Sequence, residues 1–168
     1  MHRVLVLAAV AATLTIAACG SSNSDQATVG AGAAGASNTV GIKQVFGVGR
    51  VLVGPTGLAL YTPDQEAKGM ISCTAACTSV WQPVAAGGKP TAATGAGKVG
   101  VIKRPDGAQQ LTLDGMPAYT FVQDSPSHVT GDGAKDQFGG RNFTWHVLLA
   151  GGAKGTGSTG GTNNQYGY

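Results

Sequence analysis

The feature that most constrains this chain is a short pattern that occurs twice. Gly57-Leu58-Ala59-Leu60-Tyr61-Thr62 and Gly115-Met116-Pro117-Ala118-Tyr119-Thr120 carry glycine, tyrosine and threonine at identical offsets. Chance agreement at so many positions is improbable, so the pattern predicts a tandem duplication of one strand-turn unit. Two copies of such a unit can bury one shared apolar face. In each copy an acid follows the tyrosine by five positions and a tryptophan comes later; these residues are Glu66 and Trp81, then Asp124 and Trp145.

The segments around the repeated pattern have the composition of β-strands and are separated by turn signals. Gly54–Gly57 predicts the turn of a first hairpin, and Arg104–Gly107 predicts the turn of a second. Asp114-Gly115 then extends the second hairpin into a meander. The predicted strands are Val45–Val53, Leu58–Thr62, Val99–Lys103, Gln109–Leu113, Met116–Val122 and Phe143–Leu149.

Only the segment Ser72–Trp81 has helical rather than strand chemistry, and Ser72 or Thr74 is the expected cap of one short helical turn. Lys89–Gly97 is expected to be a loop that joins the two halves. The sequence therefore predicts an all-β fold, a small antiparallel sheet or sandwich built from two tandem strand-turn repeats, with one short helical turn near the cysteine pair.

The N-terminus has the pattern of an export signal. His2 and Arg3 precede an apolar run that ends in Ile16-Ala17-Ala18-Cys19, and this run is short for a membrane-spanning helix. Small residues directly before a cysteine resemble a bacterial lipobox. We therefore expect residues 1–18 to be a lipoprotein signal peptide and Cys19 to carry the lipid, which would place the protein on the extracytoplasmic face of the cell membrane.

The composition limits the folded part to one small domain. Residues 19–39 are small and polar and predict a flexible tether, while the glycine-rich residues 151–168 predict a disordered tail. The domain is expected at 40–150, with repeats at about 45–86 and 99–150. A formal net charge of +3 without a cluster of basic residues does not favour nucleic-acid binding.

Taken together, these motifs resemble a bacterial family of secreted repeats of unknown function, found in tandem in envelope lipoproteins and marked by a tyrosine, four residues, then aspartate. Three positions depart from the family pattern, namely Glu66 in place of aspartate, Gln82 before Pro83, and Ala118 in place of leucine. The resemblance implies the location and the fold, and it implies no established activity. The matching positions are Leu60-Tyr61, Cys73, Cys77 and Trp81, then Gly115, Pro117, Tyr119, Asp124, Gly131-Asp132 and Trp145-His146-Val147.

The cysteine pair is the place where a special chemistry is most easily imagined. If Cys19 is lipidated, only Cys73 and Cys77 remain, and an oxidising compartment favours a disulfide between them. Two residues four apart on a helical turn lie within disulfide range. The alternative is a working dithiol that is redox-active or binds copper or zinc, with His128 and His146 as further candidate ligands.

Other constellations favour structural roles. The carboxylates of the loop Asp124–Asp136 lack the alternating spacing of a calcium loop, so an Asx-type loop is expected and no metal site is predicted. Tyr61 and Tyr119 are expected in the core, each with its hydroxyl on a polar partner such as the acid five residues on, or else in a ligand platform with the two tryptophans.

No serine lies in a nucleophile elbow and no acid pair suggests a glycosidase, so no catalytic residue and no cofactor is predicted. We expect a membrane-anchored lipoprotein that acts as a non-enzymatic binding or structural module of the envelope. Its expected partners are the membrane, through the lipid anchor, and an unidentified envelope protein or small ligand. The alternative function is a metal-binding or electron-transfer accessory protein that uses Cys73 and Cys77.

Overall fold

The computed structural model describes residues 39–156. The predicted signal peptide 1–18, the predicted lipid-attachment residue Cys19, residues 20–38 of the predicted tether and residues 157–168 of the predicted tail lie outside the described residues. The described part is mostly β-structure, as predicted, with two short helical turns. The strands are β1 Thr39–Val45, β2 Gly49–Val53, β3 Tyr61–Pro63, β4 Trp81–Pro83, β5 Thr91–Ala92, β6 Val99–Lys103, β7 Gln109–Leu113, β8 Met116–Pro117, β9 Tyr119–Phe121, β10 Lys135–Phe138 and β11 Arg141–Val147.

These strands form three sheets. The largest has the order β10-β11-β3-β9-β4 and is antiparallel throughout. The second has the order β2-β1-β5, in which β1 and β5 are parallel, and the third has the order β6-β7-β8. The sheet of five strands carries both copies of the tyrosine motif, so it is the part of the fold that positions the candidate site.

The first predicted hairpin is partly wrong. Val45–Val53 is not one strand, because the chain turns at Phe46–Val48 and β2 pairs along its length with β1. Gly47 and Gly49 permit this turn with φ of 77° and 115°, values that glycine adopts without steric cost. The expected pairing of Val45–Val53 with Leu58–Thr62 is present only near the turn that joins them, where the Leu60 amide donates to the Leu52 carbonyl at 2.9 Å.

The second predicted hairpin is confirmed, and the meander is confirmed in part. Its predicted third strand, Met116–Val122, divides into β8 and β9, which belong to different sheets. β6 pairs with β7 from Val99↔Leu113 to Lys103↔Gln109, and β7 continues into β8. Asp114 and Gly115, with φ of 50° and 83°, form the turn between β7 and β8. Two successive left-handed residues match the right-handed twist of a two-residue hairpin, which is why an Asp-Gly pair predicts the turn well.

The predicted helical turn is present at α1, Cys77–Val80, but its predicted cap is wrong. No side chain caps α1; instead the Thr74 carbonyl accepts a hydrogen bond from the Cys77 amide at 3.1 Å. A second helical turn, the 3-10 helix Asp64–Glu66, was not predicted. It directly follows β3 and brings Glu66 into the interior, where its exposure is 0%.

The chain stays attached to the domain beyond residue 150. The Gly155 amide donates to the Val147 carbonyl, and the Leu149 amide donates to the Ala153 carbonyl, both at 2.8 Å. Backbone hydrogen bonds of this kind hold residues 151–156 along the end of β11. The described domain therefore reaches from Thr39 to Thr156.

The buried side chains form two clusters. One is aromatic and surrounds the five-stranded sheet; the other is aliphatic and lies under β1, β2 and β7. Burial of large aromatic side chains contributes strongly to stability, because each removes a large apolar area from water. The rings with 0% exposure are Tyr61, Trp81, Tyr119 and Trp145.

Gly115 offers a test of the meander turn. An added Cβ there meets no atom within 4 Å, so Gly115→Ala changes only the cost of the left-handed conformation. We expect a loss of about 1 kcal/mol in the free energy of unfolding, measured by urea denaturation. Gly115→Asn is the matched control and should cost less, since asparagine tolerates this conformation better; equal losses would show that the turn is not the cause.

Candidate functional site

The two repeated motifs meet at the centre of the five-stranded sheet. Tyr61 in β3 is the direct antiparallel partner of Tyr119 in β9. On the outer sides, β11 pairs with β3 and places Trp145 opposite Pro63, while β4 pairs with β9 and places Trp81 opposite Phe121. Strands from the first and second predicted repeats therefore alternate in the order β11-β3-β9-β4.

Each tyrosine bonds to the acid of the other repeat. The Tyr61 hydroxyl donates to Asp124 Oδ2 at 2.5 Å, and the Tyr119 hydroxyl donates to Glu66 Oε2 at 2.7 Å. Each hydroxyl has the polar partner that was expected, but this partner is not the acid five residues further on. The antiparallel pairing of β3 with β9 places each tyrosine hydroxyl next to the segment that follows the other strand. Tyr61 therefore reaches the acid after β9, and Tyr119 reaches the acid after β3.

The two acids perform the same two tasks. One oxygen of each accepts a tyrosine hydroxyl, and the other accepts a backbone amide six residues further along. Asp124 Oδ1 accepts from the Thr130 amide at 2.8 Å, and Glu66 Oε1 accepts from the Ser72 amide at 2.5 Å. Glu66 Oε1 also accepts from the Cys73 amide at 2.5 Å. The longer side chain of Glu66 thus replaces aspartate without losing either contact.

A buried arginine completes the surroundings of Tyr119. Arg104 is 4% exposed, and its Nη2 donates to the Cys73 carbonyl at 2.8 Å while its Nη1 lies 3.4 Å from the Tyr119 hydroxyl. The same Nη1 donates to Gln110 Oε1 at 2.5 Å. Glu66 and Arg104 therefore hold the amide and the carbonyl of Cys73 from two sides, next to the hydroxyl of Tyr119.

The two tryptophans stack on each other in the core. Their ring centroids lie 4.0 Å apart with planes 7° from parallel. Tyr61 meets Trp81 edge-on at 5.3 Å, and Tyr119 meets Trp145 edge-on at 5.2 Å. All four rings have 0% exposure, so they form the core of the domain. The expected core position of the tyrosines is confirmed, and the alternative of a ligand platform is wrong.

Gly131 lies against this aromatic stack. Its amide donates to the Tyr61 hydroxyl at 3.2 Å. A Cβ at Gly131 would come within 2.7 Å of Trp81 Cη2 and 3.1 Å of Tyr61 Cε1. Only glycine fits here without moving the rings, which gives the glycine of the predicted Gly131-Asp132 motif a packing role.

Cys73 and Cys77 form the predicted disulfide. Their Cα atoms are 5.3 Å apart, and both residues have 0% exposure. The three residues between them, Thr74, Ala75 and Ala76, are exposed and carry the chain around the bridge. The disulfide thus closes a small surface loop whose sulfur atoms face the core.

The carboxylates of the loop Asp124–Asp136 bond to different donors. Asp124 binds Tyr61 and Thr130, Asp132 accepts from the Val147 amide at 2.9 Å, and Asp136 accepts from Trp81 Nε1 at 2.7 Å. Within residues 39–156, no cluster of three or more histidine, cysteine or acidic side chains is placed to hold a metal ion. The three carboxylates instead hold the loop and its flanking strands against the core through these hydrogen bonds.

The two histidines lie in different settings. His128 is exposed in a tight turn with Ser125. His146 Nε2 lies 3.1 Å from Asp64 Oδ2, and its Nδ1 lies 3.0 Å from the Gly155 carbonyl. Burial alone would raise the pKa of Asp64, but hydrogen bonds from Lys154 and His146 outweigh it and hold this pKa below its usual value. This group fastens residues 154–155 to the sheet.

Sequence reasoning missed Arg104 and Gln110 as parts of the site, and it gave Gly131 only as a position of the family motif without a packing role. Arg104 and Gln110 flank the predicted second hairpin turn, where polar residues are normally exposed. The burial of both at 4% and 0% follows from the packing of that hairpin on the loop of Cys73. No short sequence pattern predicts the packing of a hairpin against a distant loop. For the centre of the site, the sequence did offer a signal, namely the recurrence of the tyrosine motif.

The crossed bonds can be tested by double-mutant cycles. Tyr119→Phe should cost about 1–3 kcal/mol of unfolding free energy, because it leaves a buried carboxylate oxygen without its donor. Tyr119→Phe and Glu66→Gln should couple, with an interaction energy of at least about 0.5 kcal/mol. Tyr61→Phe and Glu66→Gln form the matched control and should be additive. Coupling in the control cycle and additivity in the first would contradict the crossed arrangement.

Stability should fall in alkaline solution. Burial raises the pKa of the Tyr61 and Tyr119 hydroxyls, and the neighbouring carboxylates of Asp124 and Glu66 raise these pKa values further. The folded state therefore keeps two protons that the unfolded state releases above about pH 10. Unfolding free energy should be unaffected by these groups below pH 10 and fall by about 1.4 kcal/mol per pH unit for each tyrosine above it.

The measurement is urea denaturation at several alkaline pH values, compared with Tyr61→Phe. The variant should lose about half of the slope, because only Tyr119 still releases its proton on unfolding. In a separate variant that carries only Tyr166→Phe and Tyr168→Phe and so keeps Tyr61 and Tyr119, tyrosinate absorbance should appear together with unfolding. Ionisation of either remaining tyrosine in the folded protein near pH 10 would contradict this expectation.

Comparison with known proteins gives one match. Residues 100–148 match the model of a family described as a secreted repeat of unknown function. No curated protein and no solved structure matches the chain significantly. In residues 39–156, no helix is long and apolar enough to span a membrane. The match covers the second predicted repeat, from β6 through β11, and agrees with a secreted protein whose activity is unknown.

Proposed function

We propose that this protein is an extracytoplasmic lipoprotein whose domain is a non-enzymatic binding or structural module of the cell envelope. Cys19 carries the lipid, and the domain projects from the membrane surface to meet an envelope protein or a small ligand. The observation that carries the proposal is that the residues able to do chemistry make structural contacts inside the fold. The tyrosines, tryptophans, acids and cysteines of the repeated motifs bond to or pack against one another there.

The contacts support a scaffold role in detail. Tyr61 and Tyr119 each donate to a carboxylate, and Trp81 donates to Asp136. A general acid or a nucleophile has to reach its substrate, and Tyr61, Tyr119 and Glu66 are fully buried. A domain built in this way is suited to present a fixed outer surface.

The disulfide supports export. A bridge between Cys73 and Cys77 persists in oxidising compartments and is rare in the reducing cytosol. The match to a secreted family points the same way. The small residues before Cys19 then supply the reason to propose a lipid anchor.

The alternative function has little support. A metal or redox role for Cys73 and Cys77 needs accessible thiols, and both cysteines are fully buried in a bridge. The candidate ligand His146 bonds to Asp64 and Gly155. Thiol chemistry at this pair would therefore require the loop 73–77 to leave its place in the core.

The anchor can be tested by fractionation of a bacterium that expresses the protein. The unaltered protein should be found with the membranes and enter the detergent phase of a phase-separation assay, because acyl chains partition strongly. Cys19→Ala should move to the soluble exported fraction. Entry of Cys19→Ala into the detergent phase to the same extent as the unaltered protein would refute lipidation as the anchor.

The cysteine pair can be tested by thiol titration. Protein purified without reductant should show no free thiol from Cys73 and Cys77, both when native and when unfolded in denaturant. It should take up no copper(I) in stoichiometric amount. Cys73→Ser with Cys77→Ser is the control for background. Reactive thiols in the native protein together with stoichiometric copper binding would favour the alternative function.

A further inference from the structure

The turn between β1 and β2 exposes a large aromatic side chain. This hairpin tip consists of Phe46, Gly47 and Val48, and Phe46 is 102% exposed. The residues on both sides of Phe46 are fixed, since Val45 is buried and Val48 packs against the aromatic core cluster. The Val48 amide also donates to the Val45 carbonyl at 3.2 Å. The fold therefore holds the ring outward in a defined place.

Phe46 stands apart from the other exposed apolar residues. Met70 is 65% exposed, and Val101 and Val122 are each 45% exposed. Their partial exposure is ordinary for a protein surface. A fully exposed phenylalanine keeps its whole apolar area in contact with water, which is unfavourable. A surface that buries the ring would therefore stabilise the bound state.

The charges of the hairpin indicate what that surface is. Residues 39–53 contain Lys43 and Arg50 and no acidic residue. Arg50 is exposed and lies opposite Gln44 in the ladder, four residues after Phe46. Lys43 donates to the Pro126 carbonyl, which holds its ammonium between the hairpin and the loop that contains Pro126. An aromatic ring beside cations suits the interface of an anionic bilayer, where the ring is buried among headgroups and each cation is attracted by the negative surface.

We propose that the hairpin tip is a membrane-contact site, with Phe46 inserted among the lipid headgroups and Arg50 and Lys43 near their phosphates. The inference rests on the proposed function in one respect, since the lipid on Cys19 keeps the domain close to the bilayer. A single ring and two cations bind weakly in isolation, but tethering raises their effective concentration at the surface. The contact would then set how the domain faces its partners.

The length of chain before the domain permits this arrangement. Twenty residues run from Gly20 to Thr39 and span at most about 70 Å. The strand β1 carries the chain a further distance of about 20 Å from Thr39 to Val45. The hairpin tip can therefore reach the surface to which Cys19 is attached, even though β1 starts at its opposite end.

The test uses protein without the lipid, so that it does not depend on lipidation. The chain from residue 19 with Cys19→Ala is the parent, and its binding to phosphatidylglycerol vesicles at millimolar lipid is measured by flotation. Phe46→Ser should lower the partition coefficient about tenfold, by loss of apolar burial. Arg50→Gln should lower it about fivefold on these vesicles and leave binding to phosphatidylcholine vesicles unchanged. Met70→Ser is the matched control and should bind as the parent does.

Each result bears on the proposal. All variants should unfold at the temperature of the parent, because the substituted side chains are exposed. Failure of the parent to bind anionic vesicles, or equal binding by Phe46→Ser and the parent, would overturn the membrane contact and leave a protein partner as the occupant of the tip. Failure of the anchor itself would show separately, as entry of Cys19→Ala into the detergent phase, which a weak contact of the hairpin tip does not cause.

Discussion

The fold depends on the pairing of β3 with β9, which brings Tyr61 and Tyr119 side by side. This antiparallel pair sends each hydroxyl to the acid on the other strand's following loop. The outer strands follow the same rule, so Trp145 flanks the first tyrosine strand and Trp81 flanks the second. Strands of both predicted repeats alternate within the five-stranded sheet, and the stacked tryptophans become one shared core.

This arrangement explains why residues that suggest an active site have structural roles. A buried carboxylate is costly unless hydrogen bonds satisfy its oxygens, and Glu66 meets that requirement with Tyr119 and two backbone amides. Through the Cys73 amide the same acid fixes the disulfide loop. We therefore propose that the protein acts through the outer surface of the domain, including the membrane-contacting hairpin tip, and through the lipid anchor at Cys19.

Much of the fold follows from local sequence patterns. Asp114-Gly115 predicted its turn because the backbone conformation of that pair is a local property. The hairpin of β6 and β7 was predicted from strand composition on both sides of the turn Arg104–Gly107. The break at Phe46 was missed because valines on both sides resemble one strand. The partners of Tyr61 and Tyr119 and the burial of Arg104 depend on how distant strands align, and no short pattern records that alignment.

The central claim is that the interleaved strands make the two predicted repeats one cooperative unit. Native-state hydrogen exchange at rising denaturant tests it most directly, because it reports the opening free energy of each amide. The amides of Thr62 and Gln82, in the first repeat, and of Thr120 and Trp145, in the second, should converge on one global unfolding isotherm. Exchange of one repeat at a lower free energy, while the other remains protected, would contradict the account.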